Sequence, residues 1–223
     1  MQPLSRVSPT AGVAMGTQDA MTTRPKVAIK IAECVAEWAE IETVIGLFLA
    51  LLLDADASAA VAMYTSVENR AAQMRMVEAA ARSKLTSNHF EVVEAIMVAF
   101  VRPAMKERDR LAHWCWGYSP DLPEDLLLID PDQKIAQHTH IIMHLFKNFE
   151  FKRDQIFVVT EGDLTRMLAR FRQAHAYVGK LTGTVWSQKP APQRAEYLQK
   201  LSGEPPVHEA LLRLRKRKKN SQQ

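Results

Sequence analysis

Two residues near the middle of the chain carry side chains suited to chemistry on a phosphate ester. Arg108 supplies a permanently charged, forked guanidinium that can hold a phosphate. His113 lies five positions later, and an imidazole, with an unperturbed pKa of about 6.5, can accept and return a proton near neutral pH. Cleavage of RNA by its own 2′-hydroxyl requires these two groups, because charge builds on the phosphate as the proton leaves.

The spacing of an arginine and a histidine is not diagnostic by itself. Arg82 with His89, and Arg170 with His175, also place a histidine a few residues after an arginine. The Arg108 stretch differs in its context, because an aspartate follows it and a long predicted helix ends there. Arg170 lies inside an amphipathic helical pattern. Arg82 remains a candidate for the arginine of such a motif, but a weaker one than Arg108.

The stretch RDRLAHWCWG, which begins at Arg108, resembles the signature of the HEPN superfamily: an arginine, a polar residue, and a histidine five positions after the arginine. In a group of bacterial HEPN-like proteins the equivalent stretch typically reads Arg-Asn, then Ala-His-Gly and a tryptophan. The resemblance covers roughly residues 27 to 130. It implies a helical-bundle domain, and for many members a metal-independent RNA endonuclease of toxin–antitoxin, phage-defence or CRISPR-associated systems. RNA, an antitoxin partner and the absence of any metal or organic cofactor follow from that resemblance as expectations.

The resemblance also implies a role for each residue and an oligomeric state. Arg108 would hold the phosphate, His113 would shuttle the proton, and Asp109 would orient the pair. On a continuous helix, residues five positions apart diverge by roughly 140°, so we expect that these two side chains cannot face one substrate there. Either the helix unwinds before His113 or a second chain completes the site. Nucleases of this superfamily are generally dimers whose motifs meet in a cleft, and a homodimer is expected.

Two positions depart from the family pattern and leave other functions open. Asp109 replaces the usual asparagine, which adds a negative charge where phosphate would approach, and Trp114 stands where close relatives have glycine. Many members of the superfamily act as binding or scaffold modules. A non-catalytic scaffold predicts His113 buried against Trp114 or Trp116. A nuclease instead predicts an open, positively charged cleft around Arg108 and His113.

Basic residues are concentrated in a C-terminal tail. The formal net charge is +4 and the tail carries six cations, so the rest of the chain carries −2. Such a run can follow nucleic-acid phosphates without reading their sequence, and it equally suits a solvated terminus. A nucleic-acid-binding accessory that acts through the tail is therefore a further alternative. The predicted nucleic-acid contacts are Arg110, Arg213, Arg215, Lys216, Arg217, Lys218 and Lys219.

A histidine cluster gives a weak metal signal. His140 and His144 lie four positions apart, close to His138, and could share a helix face that binds zinc. No cysteine or closely spaced acidic residue completes the set. Surface or packing histidines are favoured, and no metal site is predicted.

Glu42 directly precedes the apolar run 44–53, where a carboxylate would be partly buried. A buried charge needs a partner. Arg70 or Arg108 is predicted to supply it, as a structural ion pair rather than a catalytic carboxylate.

Three long helical patterns precede the motif and must position it, and a β-rich stretch follows it. The helices are predicted from Pro25 to about Leu53, from about Asp56 to Lys84, and from about Phe90 towards Leu111, with a kink or new start at Pro103. Alternating aromatic residues after His113 and the apolar stretch 126–129 predict a β-hairpin. Residues 157–159 add a strand, and a helix follows over about 162–180.

The predicted fold is mainly α, an antiparallel helical bundle with a small β-hairpin or sheet inserted after the third helix. Residues 1–24 lack a periodic apolar pattern and are predicted to be a disordered tail. Residues 25–186 are predicted to form the HEPN-like domain, with the β insertion at about 113–160. Residues 187–223 are predicted to form a loosely packed segment that ends in the basic tail.

The composition of the 223 residues, 47% hydrophobic and 24% charged, excludes collagen-like, low-complexity and disulfide-scaffold proteins. Two distant cysteines, Cys34 and Cys115, indicate a reducing compartment. The N-terminus lacks the apolar core of a signal peptide. The strongest apolar run, 44–53, falls well short of the roughly 20 residues that span a membrane. A cytoplasmic protein with no membrane partner is expected.

Overall fold

The structure is a computed structural model that describes residues 1–143, 152–186 and 191–221. It is mainly helical with a small antiparallel sheet, which confirms the predicted fold class. The α-helices are α1 Leu4–Val7, α2 Thr17–Thr23, α3 Pro25–Leu53, α4 Ala57–Ser66, α5 Arg70–Lys84, α6 Ser87–Ile96, α7 Arg102–His113, α8 Pro131–Met143, α9 Glu161–Trp186, α10 Ala191–Gly203 and α11 Pro205–Asn220.

The strands are β1 Gln2–Pro3, β2 Cys115–Ser119, β3 Leu122–Ile129 and β4 Ile156–Val159. They form one sheet in the order β1-β4-β3-β2, and every neighbouring pair is antiparallel. Strand β3 is central and apolar, and its residues 126–129 are fully buried. The predicted hairpin is therefore β2–β3, and the strand predicted at 157–159 is β4.

The predicted second helix is broken in the structure. Helix α4 ends at Ser66 and helix α5 begins at Arg70. The side chain of Asn69 accepts a hydrogen bond from the amide of Ala72 at 3.0 Å, which is the standard way to start a new helix. Local capping therefore overrides the apolar period that runs through both segments.

The predicted third helix contains the expected irregularity near Pro103. Residues Met97–Val101 form a π-helical turn between α6 and α7, and α7 begins at Arg102. The backbone stays helical through this turn, because Ile96, Met97 and Arg102 all have right-handed helical dihedral angles. The irregularity is thus a π-bulge in a continuous helix rather than a new start, and α7 carries the Arg108 motif.

The N-terminal residues differ from the disordered tail that the sequence predicts. Strand β1 pairs with β4, with Gln2 opposite Val158. Leu4 and Ala11 are buried in a core cluster with the sheet residues Leu127, Ile129, Ile156 and Val158. A few well-placed apolar side chains, rather than a periodic pattern, anchor this segment.

Arg24 also ties the N-terminal residues to the hairpin. Its side chain is 7% exposed and donates to the carbonyls of Ser119 at 2.9 Å and Leu122 at 3.2 Å. Its guanidinium lies 5.1 Å from the ring centroid of Tyr118. A buried cation thus binds the carbonyl oxygens on both sides of the turn that joins β2 and β3.

The C-terminal residues also differ from the loosely packed segment that was predicted. Helices α10 and α11 pack on each other and on α6. Their apolar side chains are buried, including Leu198, Leu201, Val207, Leu211 and Leu214. The basic run continues α11, so it is helical within the described residues.

The chain divides into two units that differ from the predicted domain bounds. Unit 1 comprises Met1–Ala36 and Met105–Ala169, and unit 2 comprises Glu37–Ala104 and Arg170–Gln223. Unit 1 contains the sheet and the Arg108 motif. Unit 2 contains α4, α5, α6, α10 and α11. None of the described helices is long and apolar enough to cross a membrane.

Candidate active site

The Arg108 motif lies where α7 gives way to the hairpin. Arg110 and His113 occupy the last turn of α7, and the amide of Trp114 still donates to the carbonyl of Arg110 at 3.1 Å. Strand β2 begins at the next residue, Cys115. Basic side chains are favoured here because the carbonyl end of a helix carries partial negative charge. The junction predicted from the sequence is confirmed.

Arg108 is held by two polar neighbours and is mostly covered. Its side chain is 16% exposed. The Nη1 atom lies 3.4 Å from Oδ1 of Asp109 and 3.4 Å from Nε2 of His113. The Nε atom is buried and has no hydrogen-bond partner among the described residues. The guanidinium therefore retains donor capacity that its protein neighbours do not fill.

The contact with Arg108 involves the Nε2 atom of His113. A guanidinium only donates hydrogen bonds, so the tautomer that accepts this one carries its proton on Nδ1. His113 is exposed, as a general base that meets a substrate must be.

The structure overturns the expectation that Arg108 and His113 cannot face one substrate on a continuous helix. Helix α7 continues to His113, and the two side chains approach within a single chain. The angle of roughly 140° applies to the directions of the Cβ atoms. It does not include the length of the arginine side chain, which is long enough to reach His113 at the helix end. A second chain is not needed to bring these two groups together.

An aromatic stack lies beside the motif. The guanidinium of Arg110 lies 5.2 Å from the ring centroid of Trp114, and the rings of Trp114 and Phe157 are 5.8 Å apart at 48°. Trp114 is half-buried and Trp116 is buried in the sheet. Because His113 is exposed, its placement differs from the buried histidine that a scaffold predicts.

The predicted tail contacts belong to unit 2 and fall into two sets. Arg215 donates to Oε2 of Glu91 at 2.8 Å, and Lys218 donates to Oε2 of Glu94 at 2.7 Å. Arg213 pairs with Glu209 one helical turn away, at 2.5 Å. The exposed members of the run that carry no such ion pair within the described residues are Lys216, Arg217 and Lys219.

The two rival spacings lead to other contacts. The guanidinium of Arg82 lies 4.5 Å from the ring centroid of Phe90. Nδ1 of His175 lies 2.7 Å from Oε1 of Glu37. The pair of His175 and Glu37 could not be predicted from the sequence, because no local pattern links residues 138 positions apart.

The predicted partner of Glu42 is confirmed. Its Oε1 accepts from Nε of Arg70 at 3.0 Å, and both side chains are less than one-third exposed. Arg108, the other predicted partner, belongs to the motif described above. The ion pair that the position of Glu42 before the apolar run predicts is therefore present.

The histidine cluster is only partly described. His138 is exposed, and its Nδ1 lies 2.9 Å from the carbonyl of Lys134 on the same helix. His144 lies outside the described residues. Across the ranges that the structure describes, no three His, Cys, Asp or Glu side chains come together as a metal site would require.

Two cavities lie in unit 2. One of about 500 Å³ is lined from α6, α10 and α11, and one of about 470 Å³ is lined from α3, α4 and α5 with the residues between the last two. Neither includes Arg108, Asp109 or His113.

The chain matches no protein-family model, no curated protein and no solved structure. The roles of Arg108, Asp109 and His113 are consequently argued from their geometry and from the motif that they form.

Proposed function

We propose that the chain is a HEPN-like, metal-independent RNA endonuclease that acts as a homodimer. The observation that supports this most is the meeting of Arg108 with both Asp109 and His113 at the exposed end of α7. The proposal assigns the guanidinium to the phosphate and the imidazole to the proton transfer, and the two groups lie 3.4 Å apart. The resemblance of the motif to the HEPN signature supplies the substrate class.

In the proposed reaction, His113 takes the proton of a ribose 2′-hydroxyl. The freed oxygen attacks the adjacent phosphorus while the bond from phosphorus to the 5′ oxygen breaks. The protonated imidazole then returns its proton to the departing 5′ oxygen. The products are a 2′,3′-cyclic phosphate and a 5′-hydroxyl, and no metal, oxidant or water is consumed.

Arg108 would stabilise the charge that builds on the phosphate oxygens during this reaction. Preorganised donors at such positions are the largest single contribution in many enzymes. The long 3.4 Å contacts of Nη1 support this role, since a phosphate oxygen could replace either of them. Asp109 would orient Arg108, because its carboxylate shares the Nη1 atom with the imidazole.

Only the resemblance to the HEPN superfamily supports the homodimer, because Arg108 and His113 already meet within one chain. In a homodimer, an RNA bound at one motif would lie close to the second motif. An antitoxin that blocks the exposed end of α7 is the protein partner that the resemblance suggests.

The test compares RNA cleavage by the wild-type protein and by His113→Ala in EDTA. Loss of a general acid–base lowers rates by about 10²- to 10⁴-fold. His138→Ala is the matched control, because it removes an equally exposed histidine of unit 1 that lies outside the motif. Size exclusion and circular dichroism establish the same oligomer and fold in all three proteins.

Cleavage by the wild type and His138→Ala, but not by His113→Ala, supports the proposal. The products must carry 2′,3′-cyclic phosphate ends. Equal cleavage by all three proteins would remove His113 from the reaction. No cleavage of a diverse RNA pool by the wild type would leave the scaffold alternative as the better description.

A further inference from the structure

Helix α11 uses one apolar face for packing. Val207, Ala210, Leu211 and Leu214 are buried on one side of the helix. This side contacts α6 and α10 within unit 2. Leu212, which is 53% exposed, stands alone on the other side, so the helix has no free apolar stripe for insertion into a membrane or into the groove of a partner.

Two of the basic residues of α11 hold it against α6. Arg215 binds Glu91 through Nε at 3.0 Å and Nη2 at 2.8 Å, and Lys218 binds Glu94 at 2.7 Å. Arg215 and Lys218 are three positions apart on α11, and Glu91 and Glu94 are three positions apart on α6. One face of each helix therefore carries both of its residues, and the two faces meet. These two cations act in packing, and their charges are largely offset by the acids.

The other basic residues form a separate surface, which we call the outer ridge: Arg213, Lys216, Arg217 and Lys219. Positions 213, 216 and 219 are successive neighbours on the side of α11 away from Leu214. All four side chains are exposed. Arg213 pairs only weakly, because its partner Glu209 is 64% exposed and such pairs are screened by solvent.

We propose that the outer ridge is a docking surface for the phosphate backbone of RNA. The cations from Arg213 to Lys219 are fixed on a helix over about 9 Å, a span that matches consecutive phosphates better than one small anion. The ridge has no aromatic side chain for base stacking, so it binds without sequence preference. The choice of RNA over DNA rests on the proposed function, while the ridge itself uses neither Arg108 nor His113.

The ion pairs supply a matched pair of variants on the same helix. Lys216→Gln with Lys219→Gln removes two charges from the outer ridge. Arg215→Gln with Lys218→Gln removes two charges from the face that packs on α6. Both doubles change the net charge equally, so a general charge effect would alter them alike.

The probe is a fluorescein-labelled, mixed-sequence 2′-O-methyl RNA, with affinity measured by fluorescence anisotropy at several salt concentrations. For single strands, the slope of log affinity against log salt changes by about 0.7 per phosphate contact. We expect the Lys216/Lys219 variant to lose about 1.4 from the magnitude of that slope, with an unchanged Tm. The Arg215/Lys218 variant should keep the slope and show a lower Tm.

The proposal would be overturned if the slope of log affinity against log salt fell equally in the two variants. It would also be overturned if the wild-type protein bound anionic phosphatidylserine vesicles but not RNA. Binding of single-stranded DNA in place of RNA would also overturn it. Because 2′-O-methyl RNA lacks the attacking hydroxyl, binding is measured without cleavage. A failed nuclease assay and a failed binding assay are thus separate results.

Discussion

Nη1 of Arg108 and Nε2 of His113 lie 3.4 Å apart although five positions separate the two residues at the end of one helix. The arginine can only donate in this contact, so Nε2 of His113 accepts. A phosphate that binds Arg108 would compete for the same donor. Under the proposed function, substrate binding would therefore release Nε2 of His113 at the moment when it must accept a proton.

Two substitutions of Arg108 should distinguish the contribution of its charge to cleavage from the contribution of its forked shape. We expect Arg108→Ala to lower single-turnover RNA cleavage in EDTA by about 10²-fold, the typical cost of losing one charge-stabilising donor. Arg108→Lys should give a smaller loss, because it keeps the charge but loses the fork that contacts Asp109 and His113 together. Arg75→Lys, on an exposed face of α5, should leave the rate unchanged. A full rate for Arg108→Ala would exclude the assigned role.

The N-terminal residues should contribute to stability although the sequence gives them no helical or strand pattern. Leu4 is fully buried in the core cluster of the sheet. Leu4→Ala should lower the free energy of unfolding by about 3 kcal/mol, as for other buried leucines. Val7→Ala, in the same short helix but 41% exposed, should cost less than about 1 kcal/mol. Urea unfolding followed by circular dichroism measures both, and equal values would mean that the segment does not pack.

Gly117 should tolerate no side chain, in contrast to glycines elsewhere. A Cβ at this position would lie 2.5 Å from the carbonyl oxygen of Ala14 and 2.5 Å from Sδ of Met15. Gly117→Ala should therefore lower stability by about 2 kcal/mol. Gly179→Ala is the control, because a Cβ there meets nothing within 4 Å and alanine favours the helix interior by up to about 1 kcal/mol. Thermal unfolding should show shifts of opposite sign, and a lower Tm for both would contradict the packing argument.

The fold class and the place of the motif could be predicted because both depend on local patterns. The helix from Pro25 to Leu53 carries a regular apolar period, and residues 126–129 of β3 form a short apolar run. Arg108 and His113 belong to one short stretch, so their common place at the end of α7 could be predicted, whereas their contact could not. What the sequence could not supply was the reach of the arginine side chain, which decides whether they touch.

Features that join distant parts of the chain were missed. Gln2 pairs with Val158 in the sheet, and nothing near Gln2 indicates that partner. The pairing of Arg215 with Glu91 likewise joins residues 124 positions apart. The matching three-residue spacing of acids and bases was present in the sequence, but many other helical pairs offer the same spacing. Only the packed structure selects among them.

Asp163 should make stability depend on pH. It lies at the start of α9, where burial by itself opposes the ionised form and raises the pKa. The amine of Met1 at 2.7 Å, the amide of Thr160 and the guanidinium of Arg166 outweigh that effect, so the pKa of Asp163 is lowered from its ordinary 3.8. A carboxyl whose pKa is lower in the folded state contributes stability above its unfolded pKa and loses it as the pH falls through the folded value.

We therefore expect Asp163→Asn to lower the free energy of unfolding by about 2 kcal/mol at pH 7, because it removes the charge that these donors bind. The difference from the wild type should begin to shrink below about pH 4, where the unfolded carboxyl takes up a proton, and should disappear as the pH falls through the lower pKa of the folded state. Asp132→Asn, at an exposed position in the first turn of α8, should show a small difference at pH 7. Urea unfolding at about pH 7, 5, 3.5 and 2.5 measures these values. A difference for Asp163→Asn that stays constant over this range would show that the charge of Asp163 does not stabilise the folded chain.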